Sequence, residues 1–176
     1  MKREESRGRF ALMAFKFKIR DLLSPPGKIL AEAGIRPGDT LLDFGCGPGG
    51  FVAPASRLAG DAGSVYALDR RREALDTVGS IVAKRRLMNV RTILSDGPTG
   101  LPDRSVDVAL LYDTFHALDP PDPVLAELHR VLKDGGTFSF SDHHMKDGAI
   151  RAAVAARGLF ELAERGRKTY LFRKKT

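Results

Sequence analysis

Short apolar runs alternate along this chain with stretches in which apolar residues recur every three to four positions. The first pattern fits strands buried within a sheet, and the second fits one face of a helix. Strands are predicted at Thr40–Phe44, Ser64–Leu68, Val90–Leu94, Val106–Leu111 and Thr137–Ser141. Helices are predicted at Phe51–Leu58, closed by Gly60; at Arg71–Arg86, with Ala74, Leu75, Val78 and Val82 on one side; at Pro123–Leu132, ended near Gly135-Gly136; and at Gly148–Arg157, ended by Gly158. Val106–Leu111 is almost wholly apolar, as a central strand covered on both faces must be. Phe160–Ala163 and Thr169–Phe172 flank Arg165-Gly166-Arg167 and read as an antiparallel hairpin. The sum is five β-α units and a terminal hairpin. The expected fold is α/β: a seven-stranded sheet, mostly parallel, with an antiparallel C-terminal hairpin strand and helices on both faces.

Upstream of the first strand the pattern weakens. Residues 1–9 are polar and charged and are expected to be disordered. Phe10–Leu23 can form an amphipathic helix, Pro25-Pro26 interrupts it, Pro26–Ala33 reads as a short helix and Arg36–Asp39 as a turn. Residues 10–37 are expected to form a helical cap on a single domain spanning 10–176. Phe10–Phe17 is the candidate lid, with a helix packed on the sheet as the alternative.

With 176 residues the chain suffices for one domain with a sizeable core. No apolar run approaches the roughly 20 residues needed to cross a bilayer, so no membrane association is expected. Cys46 is the single cysteine, which excludes an internal disulfide and suits a cytoplasmic setting. Of the net charge of +7, the segment 151–176 carries +6 through eight Lys or Arg against two Glu. Such a tail can contact nucleic acid, but no aromatic-interleaved basic stripe accompanies the charge, and a solvated surface is the simpler reading.

Candidate chemistry concentrates in Leu41-Leu42-Asp43-Phe44-Gly45-Cys46-Gly47-Pro48-Gly49-Gly50. Glycines there sit after a strand and before a helix, at the carboxyl edge where α/β sheets bind ligands, and glycine lets a ligand approach the backbone. Gly45, Gly47 and Gly50 also satisfy the dinucleotide spacing G-x-G-x-x-G. A pyrophosphate, however, favours a helix N-terminus free of nearby negative charge. Asp43, two residues before Gly45, suits a cationic amino-acid moiety better. Asp69 ends the second strand and can accept both hydroxyls of a ribose. Asp96, in Leu94-Ser95-Asp96-Gly97, can accept from an adenine amino group. A plain dinucleotide-binding domain would also continue with a sixth parallel strand instead of a hairpin.

On Leu41–Gly50, Val65–Arg70, Leu94–Gly97, Val106–Leu118 and Arg130–Asp142, the chain resembles the class I S-adenosylmethionine-dependent methyltransferases, which have a Rossmann-like sheet. It is similar to the small-domain type that includes the ubiquinone and menaquinone methyltransferases. The resemblance implies S-adenosylmethionine as cofactor, with S-adenosylhomocysteine as product. It implies a cofactor site of Asp43, Gly45, Cys46, Gly47, Gly49, Asp69, Arg70, Asp96, Gly97 and Tyr112, and makes Arg130–Gly136 a structural turn.

The acceptor is not implied. The Asn/Asp-Pro-Pro-Tyr pattern of many base and amide methyltransferases is absent after strand four; Asp119-Pro120-Pro121-Asp122 comes too late and lacks the aromatic. The chain passes almost directly from Asp142 to the last helix, without the insertion usual in quinone methyltransferases. A small-molecule acceptor is expected, in a site either wide open or completed by a second subunit of a homodimer. The alternatives are an RNA methyltransferase using the basic C-terminus and a non-catalytic cofactor-binding domain. A general base is needed only for a protonated acceptor. The candidates are Asp113, His116, His143 and His144. Asp113 and His143 are the catalytic assignments, and His116 is expected to pack against the sheet. Mg²⁺ held near Asp113, Asp142 and His143 fits the register poorly, so no metal is expected.

Overall fold

The computed structural model describes residues 26–175. The expected disorder of residues 1–9 and the lid at Phe10–Phe17 lie outside the described residues.

The chain runs α1 (Pro26–Glu32), β1 (Thr40–Phe44), α2 (Val52–Ala59), β2 (Ser64–Asp69), α3 (Arg72–Arg85), β3 (Val90–Leu94), β4 (Val106–Tyr112), a 3₁₀ turn (Phe115–Ala117), α4 (Asp122–Val131), β5 (Leu132–Ser141), α5 (Asp147–Ala155), β6 (Phe160–Arg165) and β7 (Tyr170–Lys174). The sheet order is β3-β2-β1-β4-β5-β7-β6. Neighbours from β3 to β5 pair in parallel, while β7 is antiparallel to both β5 and β6. β1 pairs with β2 on one side and β4 on the other. Successive crossovers therefore leave β1 in opposite directions, which opens a crevice at the carboxyl ends of β1 and β4.

The period-two alternation of strands builds two cores. Leu41, Val65, Val108, Leu110 and Tyr112 face α1 and α2, where Leu30, Phe51, Ala55 and Ala59 cover them. Leu42, Phe44, Ala109, Leu111, Phe138 and Phe140 point the other way, onto Val124, Leu125, Leu128 and Val131 of α4 and Ile150 and Val154 of α5. Every residue of β4 except Asp107 is buried, as its unbroken apolar run requires.

Two connections differ from the pattern read off the chain. Four strands, not five, are followed by helices: β3 reaches β4 through the irregular segment 95–105. Without a helix, that segment is held by side chains. Glu127 of α4 accepts from the Thr99 N–H at 2.7 Å and the Thr99 hydroxyl at 2.6 Å. The guanidinium of Arg130 grips Glu127 by two bonds of 2.8 Å, and reaches Asp103 and the Leu101 carbonyl. The second difference is the start of β5. Lys133-Asp134-Gly135-Gly136 looks like a turn, yet Leu132 already pairs with Val106 and the register shifts before Val108 pairs with Thr137. Both bonds from the Lys133 ammonium to Asp107, at 2.8 Å, pin that bulge.

The Arg130 guanidinium, together with the Thr99 donors, outweighs the opposing effect of burial and holds the Glu127 carboxyl at about 2, below its ordinary 4.5. A depressed carboxylate stabilises the fold above its unfolded pKa, and that contribution is lost as pH falls through the folded value. Between about pH 4.5 and 2 the melting temperature should therefore fall less steeply in Glu127→Gln than in the parent. Thermal melts across that range test this; parallel slopes would refute it.

Candidate functional site

The glycine turn closes the crevice from one side. The Gly45 and Cys46 N–H groups both donate to the Leu68 carbonyl, at 2.8 and 2.9 Å, tying the turn to β2. Gly45, Gly47 and Gly49 have φ of 77°, 52° and 81°, so the chain folds back tightly into α2. Within this crevice a cleft of about 240 Å³ is bordered by Asp43, Gly45, Cys46, Gly47, Asp69, Arg70, Asp96, Tyr112 and Asp113. Nine of the sequence-predicted residues thus meet around one space. Gly49 and Gly97 do not border it. Gly49 serves packing: a Cβ there would meet Val78 Cγ2 at 2.9 Å and Ile81 Cδ1 at 3.2 Å, so its bareness lets α3 close on the turn.

The three strand-end acids differ in setting. Asp43 is buried, Asp69 is buried, and Asp96 is exposed. Asp69 accepts from the Gly47 N–H at 2.9 Å through Oδ2 and from the Arg71 N–H at 2.9 Å through Oδ1. The Arg71 guanidinium adds longer bonds, Nε–Oδ1 at 3.1 Å and Nη2–Oδ2 at 3.3 Å. Asp69 is thus fixed by backbone donors and covered by a side chain that is 41% exposed and able to swing out.

Cys46 and Tyr112 are walls. Burial, with Asp43 and Asp69 adding to it, pushes the Cys46 thiol far up, so it stays neutral. Burial likewise raises the Tyr112 hydroxyl, which bonds Ser139 Oγ at 2.7 Å while its ring stands edge-on to Phe51 at 4.9 Å. Neither supplies a nucleophile or a base.

Two imidazole–carboxylate pairs stand at the mouth. His143 Nδ1 lies 2.6 Å from Asp113 Oδ1, and its N–H donates to the same oxygen at 3.1 Å. Asp113 has φ of 50°, a left-handed conformation that non-glycine residues seldom adopt. Asp113 borders the cleft; His143, 61% exposed, does not. His116, expected to pack on the sheet, instead borders the cleft, with Nδ1 on Asp142 at 2.9 Å. His144 lies outside the cleft lining, its ring 4.2 Å from that of His116 and 3.9 Å from that of His143. Ser95, Thr114 and Leu118 also border the cleft, though the sequence assigned none of them a role. Among the described residues, no group of three or more His, Cys, Asp or Glu is arranged to hold a metal, and no helix is long and apolar enough to cross a membrane.

The donor set fits a cofactor of a particular chemistry. Bare backbone and a buried acid at the end of β1 suit an ammonium and a sulfonium. A backbone-fixed carboxylate at the end of β2 suits a vicinal diol, and the acid after β3 suits an adenine amino group. The Gly47 N–H, the donor a pyrophosphate would need, is already taken by Asp69.

Comparison with known proteins agrees with this chemistry. A family model described as a methyltransferase domain matches residues 42–140. A protein-L-isoaspartate O-methyltransferase of Jannaschia sp. is 32% identical over 130 residues, covering 69% of this chain and 57% of that protein. A ubiquinone/menaquinone biosynthesis C-methyltransferase of Teredinibacter turnerae is 36% identical over 107 residues, covering 59% of this chain and 43% of that protein. The chain thus spans about half the length of these curated relatives. The crystal structure of a SAM-dependent methyltransferase from Aquifex aeolicus superposes with a TM-score of 0.75 at 27% identity, over 89% of this chain and 96% of that one.

Proposed function

Because the chain belongs to the S-adenosylmethionine-dependent methyltransferase family, we propose that it moves a methyl group from S-adenosylmethionine to a small-molecule acceptor seated at the mouth of the cleft. One observation carries the reading: the acids ending β1, β2 and β3 converge with the glycine turn on one cleft. The cofactor supplies an electrophilic methyl on a sulfonium. Asp43 and the Gly45–Gly47 backbone would hold its amino-acid end, Asp69 its ribose, and Asp96 and Arg70 its adenine edge. Phe51 and Tyr112 wall the site, and their rings would keep water from the methyl. The chain's task is then positional: an acceptor held in line, dehydrated and about 3 Å from the methyl gains roughly 7–11 kcal/mol over free encounter. Asp113, oriented by His143, is proposed to face the acceptor. The buried, neutral Cys46 suits a reducing, cytoplasmic setting.

The similar proteins are named for transfer to oxygen and to carbon, so the acceptor atom is left to experiment. An RNA acceptor gains no support from the basic C-terminus, where several charges have local partners. Lys174 Nζ donates to the Leu132 carbonyl at 3.1 Å, and Arg165 stacks on the Tyr170 ring at 4.1 Å. Arg173 bonds the Thr137 hydroxyl.

Calorimetric titration with S-adenosylhomocysteine and with NAD tests the donor. Binding of the first alone is expected; binding of NAD alone would overturn the proposal. Transfer of label from tritiated S-adenosylmethionine into a small-molecule extract tests the acceptor class. Label entering RNA, or entering nothing, would favour the alternatives. A further result is expected from Arg71→Met. Since the guanidinium covers the Asp69 carboxylate, removing it should tighten S-adenosylhomocysteine binding severalfold. Weaker binding would show that Arg71 holds the cofactor instead of competing with it.

A further inference from the structure

We infer that His116, oriented by the buried carboxylate of Asp142, is the catalytic base on the acceptor side of the cleft, and that the acceptor arrives with its reacting atom still protonated. This deepens the proposed methyl transfer and rests on it. The geometry is that of a built pair. The Asp142 side chain is fully buried, beneath the 3₁₀ turn that carries His116. Its Oδ2 accepts the His116 backbone N–H at 3.0 Å and its Oδ1 accepts the His144 N–H at 3.0 Å, so the carboxylate is aimed before the ring engages. The His116 ring then closes on it through Nδ1, at 2.9 Å to Oδ2 and 3.1 Å to Oδ1.

Burial alone would raise the Asp142 carboxyl, but the His116 ring and the two backbone donors outweigh it and hold it below the usual carboxylate value. An ionised carboxylate only accepts, so Nδ1 must carry the ring proton and the neutral imidazole presents a lone pair at Nε2. Among the described residues Nε2 has no hydrogen-bond partner, and the ring borders the same cleft as Asp43 and the glycine turn. His143 has a similar pairing with Asp113 but stands outside the cleft, 61% exposed against 34% for His116.

The step balances without further reagents. A lone pair of the acceptor atom forms the bond to the methyl carbon, and the carbon–sulfur pair leaves with the sulfur. The acceptor's proton passes to Nε2, and the imidazolium so formed is offset by Asp142. The proton later leaves to solvent. An acceptor already deprotonated in water, such as a carboxylate, needs no such base. The pair therefore selects for weakly acidic hydroxyls, whose proton a histidine can take near neutral pH.

The test reads tautomer as well as turnover. In ¹⁵N-histidine-labelled protein at pH 8, His116 should show the Nδ1–H form, with and without S-adenosylhomocysteine, and Asp142→Asn should shift it toward Nε2–H. His116→Gln should keep its far-UV circular dichroism and its S-adenosylhomocysteine affinity. It should lose at least about a hundredfold of the label transferred from tritiated S-adenosylmethionine into a small-molecule extract. His116→Gly should recover part of that transfer in added imidazole. An Nε2–H tautomer in the parent, or transfer within threefold of the parent in His116→Gln, would overturn the assignment while leaving the methyltransferase reading intact. Absence of S-adenosylhomocysteine binding by the parent protein would instead overturn the reading it rests on.

Discussion

Asp69→Ala should weaken S-adenosylhomocysteine binding by about a hundredfold or more, since a hydrogen bond to a charged group is worth roughly 1.5–3 kcal/mol and a ribose offers Asp69 two. Part of the loss comes from the protein itself. The Asp69 carboxylate is buried and fixes the glycine turn through the Gly47 and Arg71 N–H groups. Alanine orphans both donors, at a cost of about 1–3 kcal/mol for each one that stays buried, so the melting temperature should fall as well. Asp69→Asn separates the two effects. It retains a carbonyl acceptor for one backbone donor, but it loses the charge and turns an N–H₂ toward the other. It should therefore recover stability more than affinity. Asp96 offers a contrast, because it is exposed and forms no part of the turn. Asp96→Ala should leave melting unchanged and weaken binding by no more than about tenfold, the worth of one net hydrogen bond. Calorimetry and thermal melts on the three variants decide the matter. Affinity within threefold of the parent in Asp69→Ala would remove Asp69 from the cofactor site.

The features legible in the chain were those with a local cause. The unbroken apolar run of β4 announced a central strand because covering helices leave no polar face to show. The glycines after β1 announced the cleft because such a turn demands positive φ within a few residues. The acids ending β2 and β3 followed once strand ends were known. The features that escaped depend on distant partners. β7 enters the sheet between β5 and β6, where Phe138 meets Phe160 at 4.9 Å and Phe172 at 5.7 Å. A hairpin pattern marks the two strands but not which of them will find β5. The placement of the histidines about the cleft escaped for a similar reason. Position placed His143 at the ligand-binding edge just after β5, and His116 inside. Beyond Ser141, however, strand alternation no longer governs side-chain direction. Asp113 adopts a left-handed backbone and takes His143 away from the cleft, while Asp142 folds under the 3₁₀ turn and draws His116 into it. Residues such as Ser95 and Thr114 have no chemical signature and enter the site only because β3 and β4 end there.

Gly45→Ala should unfold the turn, and with it both binding and much of the stability. A Cβ at Gly45 would lie 2.3 Å from Thr114 Oγ1, 2.6 Å from its Cγ2 and 3.0 Å from its Cβ. These belong to a stiff β-branched side chain whose hydroxyl bonds the Gly45 and Tyr112 carbonyls, so it cannot simply rotate away. The φ of 77° adds about 1–2 kcal/mol of strain for any residue with a Cβ. Overpacking of this kind costs roughly 1–3 kcal/mol more. Gly47→Ala is the control. Its Cβ meets nothing within 4 Å and its φ is 52°, so only the left-handed strain applies and the protein should remain folded. Because Gly47 borders the cleft, its cost should appear chiefly in S-adenosylhomocysteine affinity. The clash and the strain at Gly45 can then be told apart with Thr114→Ala. That substitution deletes the two nearest clashing atoms, so Gly45→Ala in the Thr114→Ala background should be less damaging than in the parent. A double-mutant cycle read by denaturant unfolding measures the difference, and a coupling above about 1 kcal/mol is expected for residues in direct contact. Additive losses would mean that the turn fails through its backbone alone, and that Thr114 is a bystander at the junction of β1 and β4.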